Sequence, residues 1–129
     1  MRYLSLDEVY ALHQRMIHVG GGRIDIHDFT LLHSAVERPK ANFGGKELYA
    51  TMWKKASALL HSLVNNHPFD DGNKRTAYYS AKRFLRMNGY TLDAPLKEIL
   101  RFMVSVDVKK LTVDQIGVWL KTHSKRTSL

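Results

Sequence analysis

The sequence predicts an all-α domain, and three observations carry that expectation. Apolar residues recur at three- and four-residue spacing over most of the chain, several of the patterned segments open on residues that cap helices, and period-two alternation is confined to the stretch GRIDIH. That stretch reads as a short hairpin or flap. At 129 residues the chain has the length of one domain, so a single unit over residues 1–129 is expected. Its 44% hydrophobic and 25% charged residues match globular rather than disordered usage.

Each element has a local reason. Ser5 opens SLDE, a capping box in which the Ser5 hydroxyl and the Glu8 carboxylate satisfy each other's backbone amides, and Val9, Leu12, Met16 and Ile17 follow at helical spacing to about Val19. The GGG at 20–22 stops that helix, Asp28 caps a second through FTLLHSAVER, and Pro39 ends it. Residues 40–45 read as a loop. From 46 to about 66, Met52, Ala56, Leu59, Leu60, Leu63 and Val64 form one stripe, which predicts a long central helix. Pro68 disfavours helical geometry at His67 and ends it there. A further helix starts near Asn73, buries Ala77, Ala81, Phe84 and Leu85, and stops at the Asn88-Gly89 cap. LKEILRFMVSV and IGVWLKTH complete the set, the latter behind the capping box TVDQ at 112–115. The basic tail, about 122–129, reads as solvated and partly frayed.

Composition removes several functions. Zero cysteines exclude disulfides, thiolate catalysis and Cys-type zinc sites. No apolar run approaches the roughly 20 residues that span a bilayer, and the first residues carry acids where a secretion signal is apolar, so a cytoplasmic protein without a membrane partner is expected. The net charge of +8 calls for an anionic partner without choosing one. A nucleic-acid binder would need stacking platforms, yet Trp53, Tyr78 and Tyr79 sit at helix-packing positions and no recognised DNA- or RNA-binding motif is present. No direct nucleic-acid contact is predicted.

Chemistry concentrates in HPFDDGNKRTA, residues 67–77, at a helix-loop-helix junction. Gly72 and Asn73 open a helix, so the amides of roughly residues 72–75 lack intrahelical acceptors and form an anion site at the positive end of the dipole. Lys74 and Arg75 oppose that dipole, a conflict that a bound phosphate resolves. Arg75 has the fork geometry for phosphate oxygens; Lys74 is a point charge. A carboxylate beside a phosphate site, Asp71, suits Mg²⁺. His67 can take a proton from a hydroxyl. Phe69 is expected as a buried anchor and Asp70 as solvent-facing. The inventory fits phosphoryl or nucleotidyl transfer.

HPFDDGNKR resembles the signature of the Fic/Doc family over nine contiguous residues, and the order of helices around it agrees. The resemblance implies a Fic/Doc-type helical bundle with a short flap, using ATP and Mg²⁺ to modify a protein hydroxyl. AMP-transferring members of the family carry Gly where this chain has Lys74 and a second Arg where it has Tyr78. Both differences point to the death-on-curing (Doc) toxins, kinases that move the ATP γ-phosphate onto a threonine of translation elongation factor Tu and arrest translation. Carried to matching positions, His67 is the general base, Asp71 the Mg²⁺ ligand, and Gly72, Asn73, Lys74 and Arg75 the nucleotide-binding groups. Gly72 departs from the Ala of the best-known Doc pattern, which keeps AMP transfer as the alternative. HVGGGRIDIHD would be the flap that aligns the target. The inhibitory helix of many Fic proteins, with Ser or Thr four residues before Glu, has no match: Leu4, His33, Phe43 and Ala94 precede Glu8, Glu37, Glu47 and Glu98. Restraint is therefore expected in trans, from a cognate antitoxin.

Overall fold

Ser5 caps the first helix with the predicted box: its hydroxyl accepts from Glu8 N at 3.2 Å and the Glu8 carboxylate accepts from Ser5 N at 3.1 Å. In the computed structural model, which describes residues 1–128, this helix is α1, Leu6–Gly20. Asp28 then caps α2, Phe29–Glu37, and Pro39 turns the chain through a short 3₁₀ segment, Arg38–Lys40. The order continues as β1 (Asn42–Phe43), β2 (Lys46–Glu47), α3 (Met52–Asn65), α4 (Asn73–Met87), β3 (Tyr90–Leu92), α5 (Leu96–Val108), α6 (Val113–Thr122) and β4 (Ser124–Arg126). Six helices and two small two-stranded sheets make up the described residues, as the all-α expectation requires.

Two boundaries differ from the expectation. The central helix starts at Met52, not near Lys46, because Gly44 and Gly45 both take positive φ (58° and 83°). Such a pair makes the tight turn of an antiparallel hairpin, here pairing Phe43 with Lys46 and Asn42 with Glu47. Thr51 then opens α3, its hydroxyl accepting from Lys54 N at 3.1 Å. The basic tail is paired rather than frayed: Ser124, Lys125 and Arg126 lie antiparallel to Leu92, Thr91 and Tyr90. Thr127 N donates to Gly89 O at 2.9 Å, which locks the tail to the turn after α4. Residue 129 of that tail lies outside the described residues.

Helix α3 is central and buried around most of its circumference, packing chiefly against α4 and α6. Leu59, Leu60, Leu63, Val64, Ala77, Ala81, Phe84, Leu85, Ile116 and Leu120 meet in one core. Each removes apolar surface from water at about 25 cal/mol per Å². Phe102 of α5 stacks on Trp119 of α6 with ring centroids 3.9 Å apart, which ties the last two helices together. This packing fixes the C-terminus of α3 against the N-terminus of α4, and the loop between them carries the motif.

Candidate active site

The loop is held from below, from one side and from within. Phe69, 1% exposed, stacks on the buried ring of His13 from α1, centroids 3.6 Å apart and planes 5° from parallel. His13 Nε2 lies 2.7 Å from the Asp71 carbonyl, which accepts its proton. Burial pushes the His13 pKa down, Arg75 adds to that, and the Asp71 carbonyl and carboxylate oppose it. From within, the Asn73 carboxamide closes a ring with the backbone of Phe69, accepting from Phe69 N at 3.0 Å and donating to Phe69 O at 2.8 Å. His67 is exposed and takes φ 47°, a left-handed conformation that a non-glycine residue holds only when its surroundings enforce it.

The flap lies along the other side. Residues 21–28 do not fold back on themselves as a hairpin; their backbone pairs with the motif loop instead. Ile26 bridges Phe69, His27 N donates to Pro68 O at 2.7 Å, and Asp70 N donates to Asp25 O at 3.1 Å. The Asp71 carboxylate accepts from Arg23 N at 2.7 Å. Asp70 is exposed, as expected, and its carboxylate pairs across the surface with Arg23 at 3.6 Å and His27 at 3.4 Å.

Gly72 sits at the N-cap of α4 with φ 78°, and no side chain caps that helix. The amides of the first turn are therefore left without a side-chain cap, the arrangement that an anion site requires. They open on a cavity of about 290 Å³ lined by His67, Asp70, Asp71, Gly72, Asn73, Lys74 and Arg75, with Val64 as its apolar floor, so the predicted residues converge on one site. The two cations are deployed differently from the sequence expectation. The Arg75 guanidinium donates to Met16 O and Gly21 O, both at 2.9 Å, at the negative end of α1. Lys74 Nζ lies 3.2 Å from Asp107 Oδ2 of α5, and Lys110 Nζ lies 3.8 Å from Asp107 Oδ1. The Lys74 contact holds the Asp107 carboxyl below the usual carboxylate range. Protein groups thus already answer the electrostatic conflict in the first turn of α4.

No group of three or more His, Asp or Glu side chains forms a metal cage among the described residues. One carboxylate facing an anion hole is nonetheless a donor set that suits Mg²⁺, which fills its remaining positions with phosphate oxygens and water. Asp71 supplies that carboxylate, partly buried on the cavity wall with Oδ2 engaged by the flap.

Sequence reasoning missed His13, Arg23 and Asp107, which come to the site from 58, 48 and 33 residues away. His13 did carry a signal, being a polar residue in register with Val9 and Ile17 on the buried face of α1. Trp53 and Tyr78 pack as expected, Trp53 meeting Tyr90 edge-on at 5.0 Å and Tyr78 being 1% exposed, but Tyr79, expected to pack with them, is 38% exposed and lines an apolar groove on the surface.

Residues 3–85 match the model of the Fic/DOC family. A protein named Toxin Doc from Mycolicibacterium smegmatis is 49% identical over 74 residues, and that alignment covers 57% of each chain. A protein named Protein kinase doc from Escherichia phage P1 is 30% identical over 122 residues, 94% of each chain. The chain thus spans little more than half the length of the first relative and nearly all of the second. A family match over well more than half the chain, spanning the signature loop and the helix pair described above, means that this protein belongs to the Fic/DOC family.

Proposed function

We propose that this protein is the toxin of a toxin–antitoxin pair, a cytoplasmic protein kinase that transfers the γ-phosphoryl group of ATP to a threonine of elongation factor Tu and so arrests translation. The observation that carries the reading is Lys74, an ammonium in the first turn of an uncapped helix, on the wall of the cavity that also holds His67. The similarity over 94% of the chain to a phage protein named a kinase supports it.

In this reading the uncapped amides of α4 receive phosphate oxygens, and Lys74 offsets the negative charge of the terminal phosphoryl group. His67 accepts the proton of the target hydroxyl as the new oxygen–phosphorus bond forms and the bond to the β-phosphate oxygen breaks, releasing ADP. Asp71 would hold Mg²⁺, which would offset negative charge on the nucleotide's phosphates. The flap, already paired with the loop through its backbone, presents the edge along which a target segment would lie.

AMP transfer by the same residues is the second reading, motivated by Gly72 in place of Ala. A Cβ at Gly72 would lie 3.0 Å from Ile17 Cδ1 and 3.6 Å from Arg75 Nη2, toward α1. That methyl would crowd Ile17, and the φ of 78° itself favours glycine, so Gly72 answers to the backbone and to packing against α1 and not to room for a bulkier transferred group. Label position separates the two: transfer of γ-phosphate label to the target is expected, and transfer of α-phosphate label would replace the kinase reading with the nucleotidyl one.

The antitoxin reading draws on an apolar groove of about 290 Å³ beside the site, lined by Met16, Val19, Leu96, Leu100, Met103 and Val104 with Lys74 and Arg75 at its edge. Val19, Leu96, Leu100 and Val104 are more than half exposed. An amphipathic acidic helix suits such a groove on a chain of charge +8. Expression of the toxin alone should arrest growth and co-expression of the neighbouring small gene should restore it; harmless expression of folded, active protein would count against the pair.

A further inference from the structure

Lys74 and Asp107 each sit where their own helix disfavours them. A cation in the first turn of α4 and an acid in the last turn of α5 both oppose the local dipole, so neither is explained by helix stability. Each is instead the other's partner, Nζ to Oδ2 at 3.2 Å. The opposite oxygen of Asp107 faces Lys110 at 3.8 Å. Lys110 follows α5 in a left-handed conformation, φ 52°. Flanked by two cations, the carboxylate stays ionised, in line with its lowered pKa.

The geometry matters because Lys74 stands between two cavities. It lines both the polar site and the apolar groove, and half its side chain is exposed. A lysine side chain left free samples many rotamers and presents its charge to water for most of the time. Asp107 removes that freedom from the α5 side. An ammonium has three N–H donors, so one directed at Asp107 leaves two for phosphate oxygens.

We propose that Asp107 is the positioning residue for Lys74, holding its ammonium beside the open N-terminus of α4 so that the charge is in place when a terminal phosphoryl group arrives. This rests on the phosphotransferase reading, with Asp107 acting only through Lys74. It makes α5 part of the site although α5 carries no part of the signature loop.

The test is a double-mutant cycle on the full chain with Asp107→Asn, Lys74→Met and both together, reading label transfer from ATP to purified elongation factor Tu. Asp107→Asn should lower kcat roughly tenfold while leaving KM for the protein target near its original value, since only the phosphoryl end of the reaction is touched. In the Lys74→Met background the same change should add nothing. Asp107→Glu should recover most of the loss. Equal losses in both backgrounds, or no loss at all, would overturn the inference. Should the wild type pass α-label instead of γ-label, the kinase reading falls while the cycle, run on that transfer, still judges Asp107. A measurement without substrate covers a variant that fails to fold: the ¹⁵Nζ resonance of Lys74 in the wild type should shift as acid protonates Asp107. An Nζ signal indifferent to that protonation would equally overturn the proposal.

Discussion

Helices α4 and α6 begin in opposite ways. At α6, Thr112 accepts from Gln115 N at 3.1 Å and Gln115 returns the bond to Thr112 N at 2.9 Å, so the helix satisfies its own exposed amides. At α4 the N-cap is a left-handed glycine, no side chain caps the helix, and two cations occupy a turn where the dipole favours acids. One start is built for stability and the other leaves its donors open for a ligand. The violation of local rules at α4 is offset locally, by Asn73 closing on Phe69, and at a distance, by Arg75 on the carbonyl end of α1 and by Asp107 on Lys74.

The sharpest way to separate the two starts is to remove chemistry from one without touching its packing. His67 is exposed and its side chain adds little to the core, so His67→Ala should leave the denaturation midpoint near that of the wild type. Transfer should nevertheless fall by roughly a thousandfold, the scale of losing a general base. Near-full transfer by the folded variant would remove His67 from that role.

Next in size are stability changes that weigh each start directly. Asn73→Ala removes two hydrogen bonds to the Phe69 backbone, and at about 1 kcal/mol each the loss should be about 2 kcal/mol in chemical denaturation. Because the same bonds shape the loop, transfer should drop as well. Thr112→Ala should cost about 1 kcal/mol, the usual value of a lost cap, with transfer unchanged. If Asn73→Ala cost no more than Thr112→Ala and left transfer intact, the loop would not depend on the ring that Asn73 closes.

How much of this was legible in advance follows the range of the interactions. Ser5, Asp28 and Thr112 announce their helices because a cap is written within three residues, and the Asn88-Gly89 stop is as local. The start of α3 differs from the expectation because an apolar stripe marks the face of a helix and not its first turn, whereas Thr51 and the Gly44-Gly45 turn do mark it. The pairing of the tail with β3 joins residues more than thirty positions apart, and no local pattern specifies it. The site divides the same way. Its cavity-lining residues fall within one short stretch, 64–75, and are readable as chemistry, but the employment of Arg75 by α1 and of Lys74 by α5 depends on tertiary contacts.

The smallest expected effect concerns acid, and it should separate the two helix starts again. His13 is fully buried, donates from Nε2 to the Asp71 carbonyl, and has no partner for Nδ1; Arg75 and Asp71 are the charged groups acting on it. Protonation would place a second N–H in a site without an acceptor, so burial lowers the pKa in the folded state below its ordinary 6.5. As pH falls through that ordinary value the unfolded chain takes up the proton first. Stability therefore rises with pH here, and its loss begins near 6.5 and continues down to the folded pKa. His61, lowered by burial and then by Arg38 and Lys110, contributes with the same sign to global unfolding, so a local measurement is needed. Amide hydrogen exchange, corrected for its intrinsic pH dependence and compared between about pH 7.5 and about pH 5.5, should show the loop at 67–75 opening more in acid than residues 112–116. In His13→Gln, whose carboxamide can still donate to the Asp71 carbonyl but does not titrate, that difference should shrink. An equal acid response at both helix starts in the wild type would mean that His13 does not couple the loop to pH.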